Sequence, residues 1–317
     1  MIPKLGASGR GSVFLAGFGY TVSMQYLIDA RVYIFRAYYS MPDDMVDREG
    51  NPVNALYGFC RFLGDFMEQV RPGHIAVAFD ESLSSSFRSE IYPLYKANRE
   101  PAPEELRRQF GQCRRFARAL GLMECADPGY EADDLIGTLV GLGRAQGRAS
   151  TIVSRDKDLT QLLSSVDVFW DFAGKGKLGY ERIPDVFGVW PEQIADFLAL
   201  AGDAVDNIPG VPGVGKKTAG ALLKHFGSLD NIYANIDRVH EVEVRGAKKL
   251  GARLELHREA AVLARKLTGI ACDAPMNDPE RYLRPAKPDL GAINALFDEA
   301  DIGMALRRQA ERLADLH

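Results

Sequence analysis

Tyr130-Glu131-Ala132-Asp133-Asp134-Leu135-Ile136-Gly137-Thr138-Leu139-Val140, followed further on by Ser150-Thr151-Ile152-Val153-Ser154-Arg155-Asp156-Lys157-Asp158, reads as a helix and then a buried strand. The helix opens on three carboxylates within one turn, and the strand is apolar to its end and then meets acids. At helical spacing Glu131 and Asp134 share a face, with Asp133 rotated roughly a quarter-turn from Asp134. Acids crowded in this way raise one another's pKa unless a cation neutralises them. The plainer reading is a solvated helix start, where the macrodipole favours each acid by ~0.3–1 kcal/mol.

The other strands separate these readings. Gln25-Tyr26-Leu27-Ile28 is a short apolar strand with Asp29 at its carboxyl end, and His74-Ile75-Ala76-Val77-Ala78-Phe79, after Pro72-Gly73, ends at Asp80. Helices are expected between them over 33–41 and 54–70, the second with Ala55, Leu56, Phe59, Phe62, Leu63 and Phe66 on one face. Strands alternating with helices predict an α/β fold, a mainly parallel central sheet flanked by helices and wound right-handed. Its ligand site lies outside the carboxyl ends of the strands. Asp29, Asp80 and Asp156 each stand at such an end. Asp158 can be read as a helix N-cap, whereas Asp156 is not explained by capping.

The chain has 317 residues, 46% of them hydrophobic, enough for a large core and two packed units. No apolar run reaches the ~18 residues of a membrane span. A net charge of −4 argues against a simple basic nucleic-acid binder, although it averages over patches of opposite sign. Cys60, Cys113, Cys125 and Cys272 lack paired C-x-x-C spacing, which argues against a disulfide framework or a thiolate zinc site and for the cytoplasm. The five histidines are dispersed and form no triad or metal box. Residues 1–23 are Gly/Ser-rich, lack a good cleavage site for a signal peptide, and are expected to be a disordered extension.

Pro93, Pro101 and Pro103 forbid a continuous helix over 84–105. Between 84 and 118 eight Arg or Lys stand against four acids. Phe87, Tyr92 and Tyr95 interleave with Arg88, Lys96 and Arg99, a pattern in which aromatics stack bases and cations take phosphates. A solvated loop and amphipathic helix is the alternative. From Pro191 the pattern is all-helical, with Asp203 and Asp206 in a loop before Ile208-Pro209-Gly210-Val211-Pro212-Gly213-Val214-Gly215-Lys216-Lys217-Thr218. Gly210, Gly215 and Lys216 stand where a P-loop has them, but Lys217 occupies the position of its Ser or Thr. Helix, tight glycine hairpin, helix is the better reading, and it offers backbone N–H groups to a phosphate. A purely structural αα-turn is the alternative.

Residues 238–266 again carry eight Arg or Lys against four acids, as a phosphate-contacting or simply solvated face. A final helix over about 290–316 is expected to pack back on the body. The expected division is an extension over 1–23, an α/β core over 24–190, a helical region over 191–285 with its hairpin at 208–218, and a C-terminal helix within 286–317.

Asp29, Asp80, Glu131, Asp133, Asp134, Asp156, Asp158, Asp203 and Asp206 form an all-oxygen set that suits Mg²⁺ or Mn²⁺. Two such ions ~3.5–4 Å apart stabilise both oxygens of a phosphodiester displacement, so metal-assisted phosphodiester hydrolysis is the expected reaction class.

In its motifs the chain resembles the bacterial 5′–3′ exonuclease and flap endonuclease family, stand-alone relatives of the N-terminal 5′ nuclease domain of DNA polymerase I. The resemblance covers about 24–267. It rests on Leu27-Ile28-Asp29, Ala78-Phe79-Asp80, Arg88-x-x-x-Tyr92-Pro93-x-Tyr95-Lys96-x-x-Arg99, Tyr130-Glu131-Ala132-Asp133-Asp134, Ser154-Arg155-Asp156-Lys157-Asp158 and Gly202-Asp203 through Asp206-Asn207-Ile208-Pro209-Gly210.

The resemblance implies a PIN-like nuclease core, a helix-hairpin-helix type duplex-binding region, and a free-standing structure-specific 5′ nuclease of replication or repair. The seven acids from Asp29 to Asp158 would hold the catalytic metals, with Asp203 and Asp206 completing the second site. Residues 84–105 would be an arch admitting a single-stranded 5′ end. Lys96 and Arg99 would steer the scissile phosphate beside Asp133 and Asp134, with Arg88 helping. Phe35 would stack a base, with Arg36 and Tyr95 also at the DNA. Gly213, Gly215, Lys216 and Lys217 would grip duplex, and the backbone oxygens of Val211 and Val214 would hold K⁺. The implied partner of this cytoplasmic monomer is DNA with a 5′ flap, fork or 5′ end, without a membrane. The extension over 1–23 departs from the family. A catalytically silent branched-DNA binding protein is the alternative, and a missing carboxylate would signal it. An RNA-processing nuclease would lack the hairpin and the arch.

Overall fold

The computed structural model describes residues 6–8, 12–15, 20–81, 86–172, 174 and 176–316. Among them eight strands form one sheet: β1 (Gly6–Ser8), β2 (Ser12–Leu15), β3 (Tyr20–Asp29), β4 (Ile75–Ala78), β5 (Met123–Cys125), β6 (Arg148–Val153), β7 (Val168–Asp171) and β8 (Gly176–Gly179). The parallel core runs β5-β4-β3-β6-β7, with β8 antiparallel at one edge. Asp29 of β3 sits opposite Ala78 of β4, and Ile28 sits opposite Val153 of β6.

The helices are α1 (Ala30–Ser40), α2 (Asn54–Val70), α3 (Phe87–Ile91), α4 (Glu104–Ala119), α5 (Ala132–Ala145), α6 (Ile183–Phe187), α7 (Ile194–Ala201), α8 (Lys216–Phe226), α9 (Leu229–Ala234), α10 (Ala247–Leu256), α11 (Arg258–Thr268), α12 (Pro279–Tyr282), α13 (Leu290–Glu299) and α14 (Met304–Asp315). They cover both sheet faces. Leu27, Ala76, Ala78 and Ile152 enter one core with α5 and the helical region, while Ile28, Ile75, Val77 and Val153 enter the other with α1, α2, α4, α13 and α14. That alternation is the period-2 pleat of a strand buried on both sides. On the first face α5 lies tight against β3. The buried Gln25 amide donates to Leu139 O at 2.8 Å, and a Cβ on Gly143 would lie 2.2 Å from that amide.

Three expectations are corrected. Residues 6–8, 12–15 and 20–23 are not a disordered extension, because β1 and β2 form an antiparallel hairpin that pairs with the start of β3. Pairing with β4 begins only at Tyr26, which leaves the edge of Tyr20–Ser23 open, and ladder bonds use backbone groups that Gly and Ser supply as well as any residue. The rest of that expected extension lies outside the described residues. The last helix is two helices, α13 and α14, because Asp301 adopts a left-handed φ of 50°. The turn lets both apolar faces reach the core, with Phe297 stacked on Phe116 at 5.7 Å and Gln309 bonded to Asp65 at 2.9 Å. The proline-rich segment forms no continuous helix, as expected: a short helix over Phe87–Ile91 is followed by turns over 93–98, and residues 84–85 lie outside the described ones. The short strands β5, β7 and β8 complete a sheet larger than the three strands anticipated.

Candidate active site

β4, β3 and β6 lie side by side and parallel, so Asp80, Asp29 and Asp156 leave the sheet along one edge. Asp29 ends β3, and its Oδ2 accepts from Ser154 Oγ at 2.7 Å. The Asp156 N–H donates to the same Ser154 oxygen at 2.9 Å. The capping roles are the reverse of those expected. Asp156 caps the 3-10 turn Lys157–Leu162, its Oδ1 accepting the Asp158 N–H at 3.0 Å, and Asp158 is left facing the cavity. Asp80 Oδ1 accepts the Ala132 N–H at 2.9 Å, which ties β4 to the start of α5, and its Oδ2 pairs with Arg31 at 3.3 Å.

At the start of α5 the helix phase divides the acids. Asp133 faces the cavity with Glu131. Asp134 is fully buried, accepts both Arg88 Nη1 and Nη2 at 2.7 Å, and also accepts the N–H groups of Glu131 at 3.0 Å and Ala271 at 2.8 Å. Its acceptor positions are thereby filled by protein donors, and the structure does not bring Asp134, expected among the metal ligands and catalytic acids, to the cavity. The same holds for Arg88 as a phosphate contact. It is 3% exposed, and its remaining donors reach Leu267 O at 2.9 Å and Gly269 O at 2.8 Å. Burial works against the Arg88 charge, and the bonds to Asp134 outweigh it, holding its pKa further above the ordinary value.

Asp29, Asp80, Glu131, Asp133, Asp156, Asp158 and Asp206 line one cavity of about 290 Å³ with Arg31, Lys96 and Arg99 on its wall. Asp203 borders an adjoining hollow of about 20 Å³ shared with Asp133, Asp158 and Asp206. Burial pushes Asp29 up to about 7, with Asp156 and Asp80 adding to it. Burial likewise raises Asp158 to about 7, helped by Asp156, Asp203 and Asp206. Asp133 is raised well above the carboxylate range by burial and then by Asp156, Asp29 and Glu131.

Glu131 behaves differently, since burial pushes it up but Lys96 and Arg88 outweigh that and hold it low. Lys96 Nζ lies 2.8 Å from Glu131 and 3.7 Å from Asp206, and Arg99 also pairs with Asp206. Tyr95 is 6% exposed, and its hydroxyl lies 3.1 Å from both Glu131 and Asp206. It therefore bridges acids inside the wall instead of presenting a ring to solvent, and burial followed by those two charges raises its pKa. Among the described residues no three His, Cys, Asp or Glu side chains converge closely enough to enclose a metal ion as they stand.

A larger cavity of about 870 Å³ shares Arg31, Asp80, Lys96, Arg99 and Glu131 with the first and extends to Phe35, Tyr39 and Phe110. Phe35 meets Phe110 edge-on at 5.8 Å, and the Arg31 guanidinium lies 5.4 Å from the Phe35 ring centre. Arg36 is not brought here; it lines a separate cavity with Arg61, Asp65 and Phe172. Arg31 is the site residue that sequence reasoning missed. The available signal was its position one turn before Phe35 and two residues after Asp29, which places cation and ring on one helix face.

The hairpin joins α7 to α8. Val214 N–H donates to Val211 O at 2.9 Å, Gly213 has φ 76°, and Arg253 Nη1 donates to Gly213 O at 3.3 Å. Val211 and Val214 are buried, whereas Gly213, Gly215, Lys216 and Lys217 are exposed at the start of α8.

A sequence model of the 5′-3′ exonuclease N-terminal resolvase-like domain matches residues 24–184, and one of the 5′-3′ exonuclease C-terminal SAM fold matches 189–290. DNA polymerase I of Pseudomonas aeruginosa is 40% identical over 276 residues, which cover 87% of this chain and 30% of that protein. DNA polymerase I of Mycobacterium tuberculosis is 36% identical over 293 residues, covering 91% and 32%. The chain thus spans less than a third of the length of these relatives. In fold it is similar to the T5 D15 protein co-crystallised with metal ions (TM-score 0.63, 19% identity, 92% of this chain and 99% of that one). It is also similar to the catalytic core of Rad2 in complex with DNA substrate (TM-score 0.57, 16% identity, 92% and 91%).

Proposed function

The chain belongs to the 5′-3′ exonuclease family, and from that membership we propose a structure-specific nuclease that hydrolyses DNA phosphodiesters at 5′ ends and flaps with two divalent cations. The observation that carries this reading is the convergence of Asp29, Asp80, Glu131, Asp133, Asp156, Asp158 and Asp206 on one cavity walled by Lys96 and Arg99.

The donor set fits hard cations. It is all oxygen, and Asp29, Asp133 and Asp158 are held in an environment that disfavours their charge unless positive charge joins them. Those residues with Asp80, Glu131, Asp156, Asp203 and Asp206 would hold Mg²⁺ or Mn²⁺. A cation bound there supplies Lewis-acid charge and a more acidic water. Lys96 and Arg99 would bind the scissile phosphate, and Phe35 would stack the neighbouring base in the larger cavity. Lys216, Lys217 and the N–H groups after Gly213 and Gly215 would take duplex phosphates. K⁺ at the carbonyls of Val211 and Val214 belongs to the same proposal; the Val211 oxygen would share its second lone pair with it.

The T5 D15 and Rad2 structures hold metal and DNA respectively, which supports those choices of ligand. No helix among the described residues is long and apolar enough to cross a membrane. Four free cysteine thiols suit a reducing cytoplasm.

The test is cleavage of a 5′-flap duplex with and without Mg²⁺, comparing the chain with an Asp156→Ala/Asp158→Ala double variant. Metal-dependent cutting near the junction, lost in the variant while DNA binding survives, is the expected result. Binding without cutting in any divalent metal would make this a branched-DNA recognition protein.

A further inference from the structure

We propose that Asn207 is a positioning residue: it ties the cation-bearing turn 94–99 to the loop carrying Asp203 and Asp206, and so sets where Lys96 and Arg99 stand in the cavity. Besides the contacts of the Tyr95, Lys96 and Arg99 side chains with Asp206 and of Arg99 with Val205 O, three bonds tie the two segments. Asn207 Nδ2 donates to Leu94 O at 2.7 Å, the Lys96 N–H donates to Asp206 O at 2.9 Å, and Asn98 Nδ2 donates to Ala204 O at 3.0 Å.

Tyr95 and Ile208 are buried in one core, but Leu94 is 56% exposed and Val205 is 68% exposed, so the apolar residues beside them bury too little to fix the register of the whole turn. Polar ties complete it. Both partners also adopt left-handed backbone, with φ 56° at Asn207 and φ 54° at Lys96. Asn tolerates that region, whereas Lys has no particular affinity for it and persists there only when its surroundings demand it. In that conformation the Lys96 N–H meets Asp206 O while its side chain reaches Glu131 at 2.8 Å.

The loop is the anchored partner. Asp203 and Ile208 exchange backbone bonds of 2.9 and 2.8 Å, and a Cβ on Gly202 would lie 2.7 Å from Gly210 N. The element bearing the acids Asp203 and Asp206 therefore also places the phosphate-facing cations. The catalytic consequence rests on the nuclease reading above; the tie does not.

The test uses Asn207→Gly and Asn207→Asp in the full chain. Both accept left-handed backbone, and neither supplies the side-chain donor. Without metal or DNA, amide exchange of the 92–99 segment is expected to speed up about tenfold, the loss of one hydrogen bond's contribution. Single-turnover cleavage of a 5′ flap in Mg²⁺ is expected to slow about tenfold, while flap affinity in Ca²⁺ stays within about twofold. Melting at the wild-type temperature is expected and separates loss of the tie from loss of the fold. Exchange unchanged in either variant overturns the tie, and faster exchange with undiminished cleavage overturns the positioning role. A wild-type chain that cuts nothing would sink the nuclease reading, and the exchange measurement would still decide the tie.

Discussion

Arg88 and Asp134 meet inside the protein through two parallel bonds of 2.7 Å, and the same guanidinium holds the carbonyls of Leu267 and Gly269. One buried side chain thus joins α3, α5 and the end of α11. Replacing Arg88 by Met strands a buried carboxylate, and the expected cost is about 3–5 kcal/mol in urea unfolding, with duplex affinity per folded molecule unchanged. Asp134→Asn is expected to destabilise without altering Mg²⁺ affinity measured by calorimetry. A stable Asp134→Asn protein with weakened metal binding would return Asp134 to the site.

The pH dependence of stability follows from Asp29 and Asp158. Burial first, and neighbouring carboxylates second, push both up to about 7, against an unfolded value of about 3.9. Each binds its proton more tightly when folded. The stability it contributes is complete below the unfolded value and is lost as pH rises through about 7. In EDTA the melting temperature is therefore expected to fall between about pH 4 and 7. Mg²⁺ is expected to remove most of that fall, because the cation stabilises the ionised forms. Thermal scans across this range with EDTA and with Mg²⁺ check it, and identical profiles would contradict it.

Gly210 packs its backbone on the end of α7, where a Cβ would lie 2.3 Å from Gly202 N and 2.4 Å from the Ala201 carbonyl carbon. Backbone atoms cannot move aside as a flexible side chain does. Gly210→Ala is expected to cost about 1–3 kcal/mol in stability and to weaken duplex binding through the displaced hairpin. Gly215 offers a contrast, since nothing lies within 4 Å of its missing Cβ and its φ is −90°. Gly215→Ala is expected to keep its stability and lose only duplex affinity, measured by unfolding and by fluorescence anisotropy on a blunt duplex.

Asp29, Asp80 and Asp156 were legible because strand periodicity is local and right-handed crossovers leave parallel strands no choice of edge. The helix start at Glu131 and the glycine hairpin were legible for the same reason, as patterns contained within a few residues. Arg36 and Phe35 show the limit. They are neighbours in sequence, yet helix phase sends Phe35 to the large cavity and Arg36 to another. The break at Asp301 was hidden because Leu296, Phe297, Ile302 and Leu306 fit a continuous helix as well as two helices turned onto one core.

Chain order and residue pattern were therefore enough to settle the parallel sheet, the edge at which its acids gather and the family of the chain. Only the folded contacts decided which acids are free to act. Asp133 and Asp134 are adjacent and chemically identical, and what separates them is a guanidinium 46 residues away that claims one of them. Long-range charge pairing of that kind depends on helix phase and on the docking of α11, neither of which any local pattern encodes.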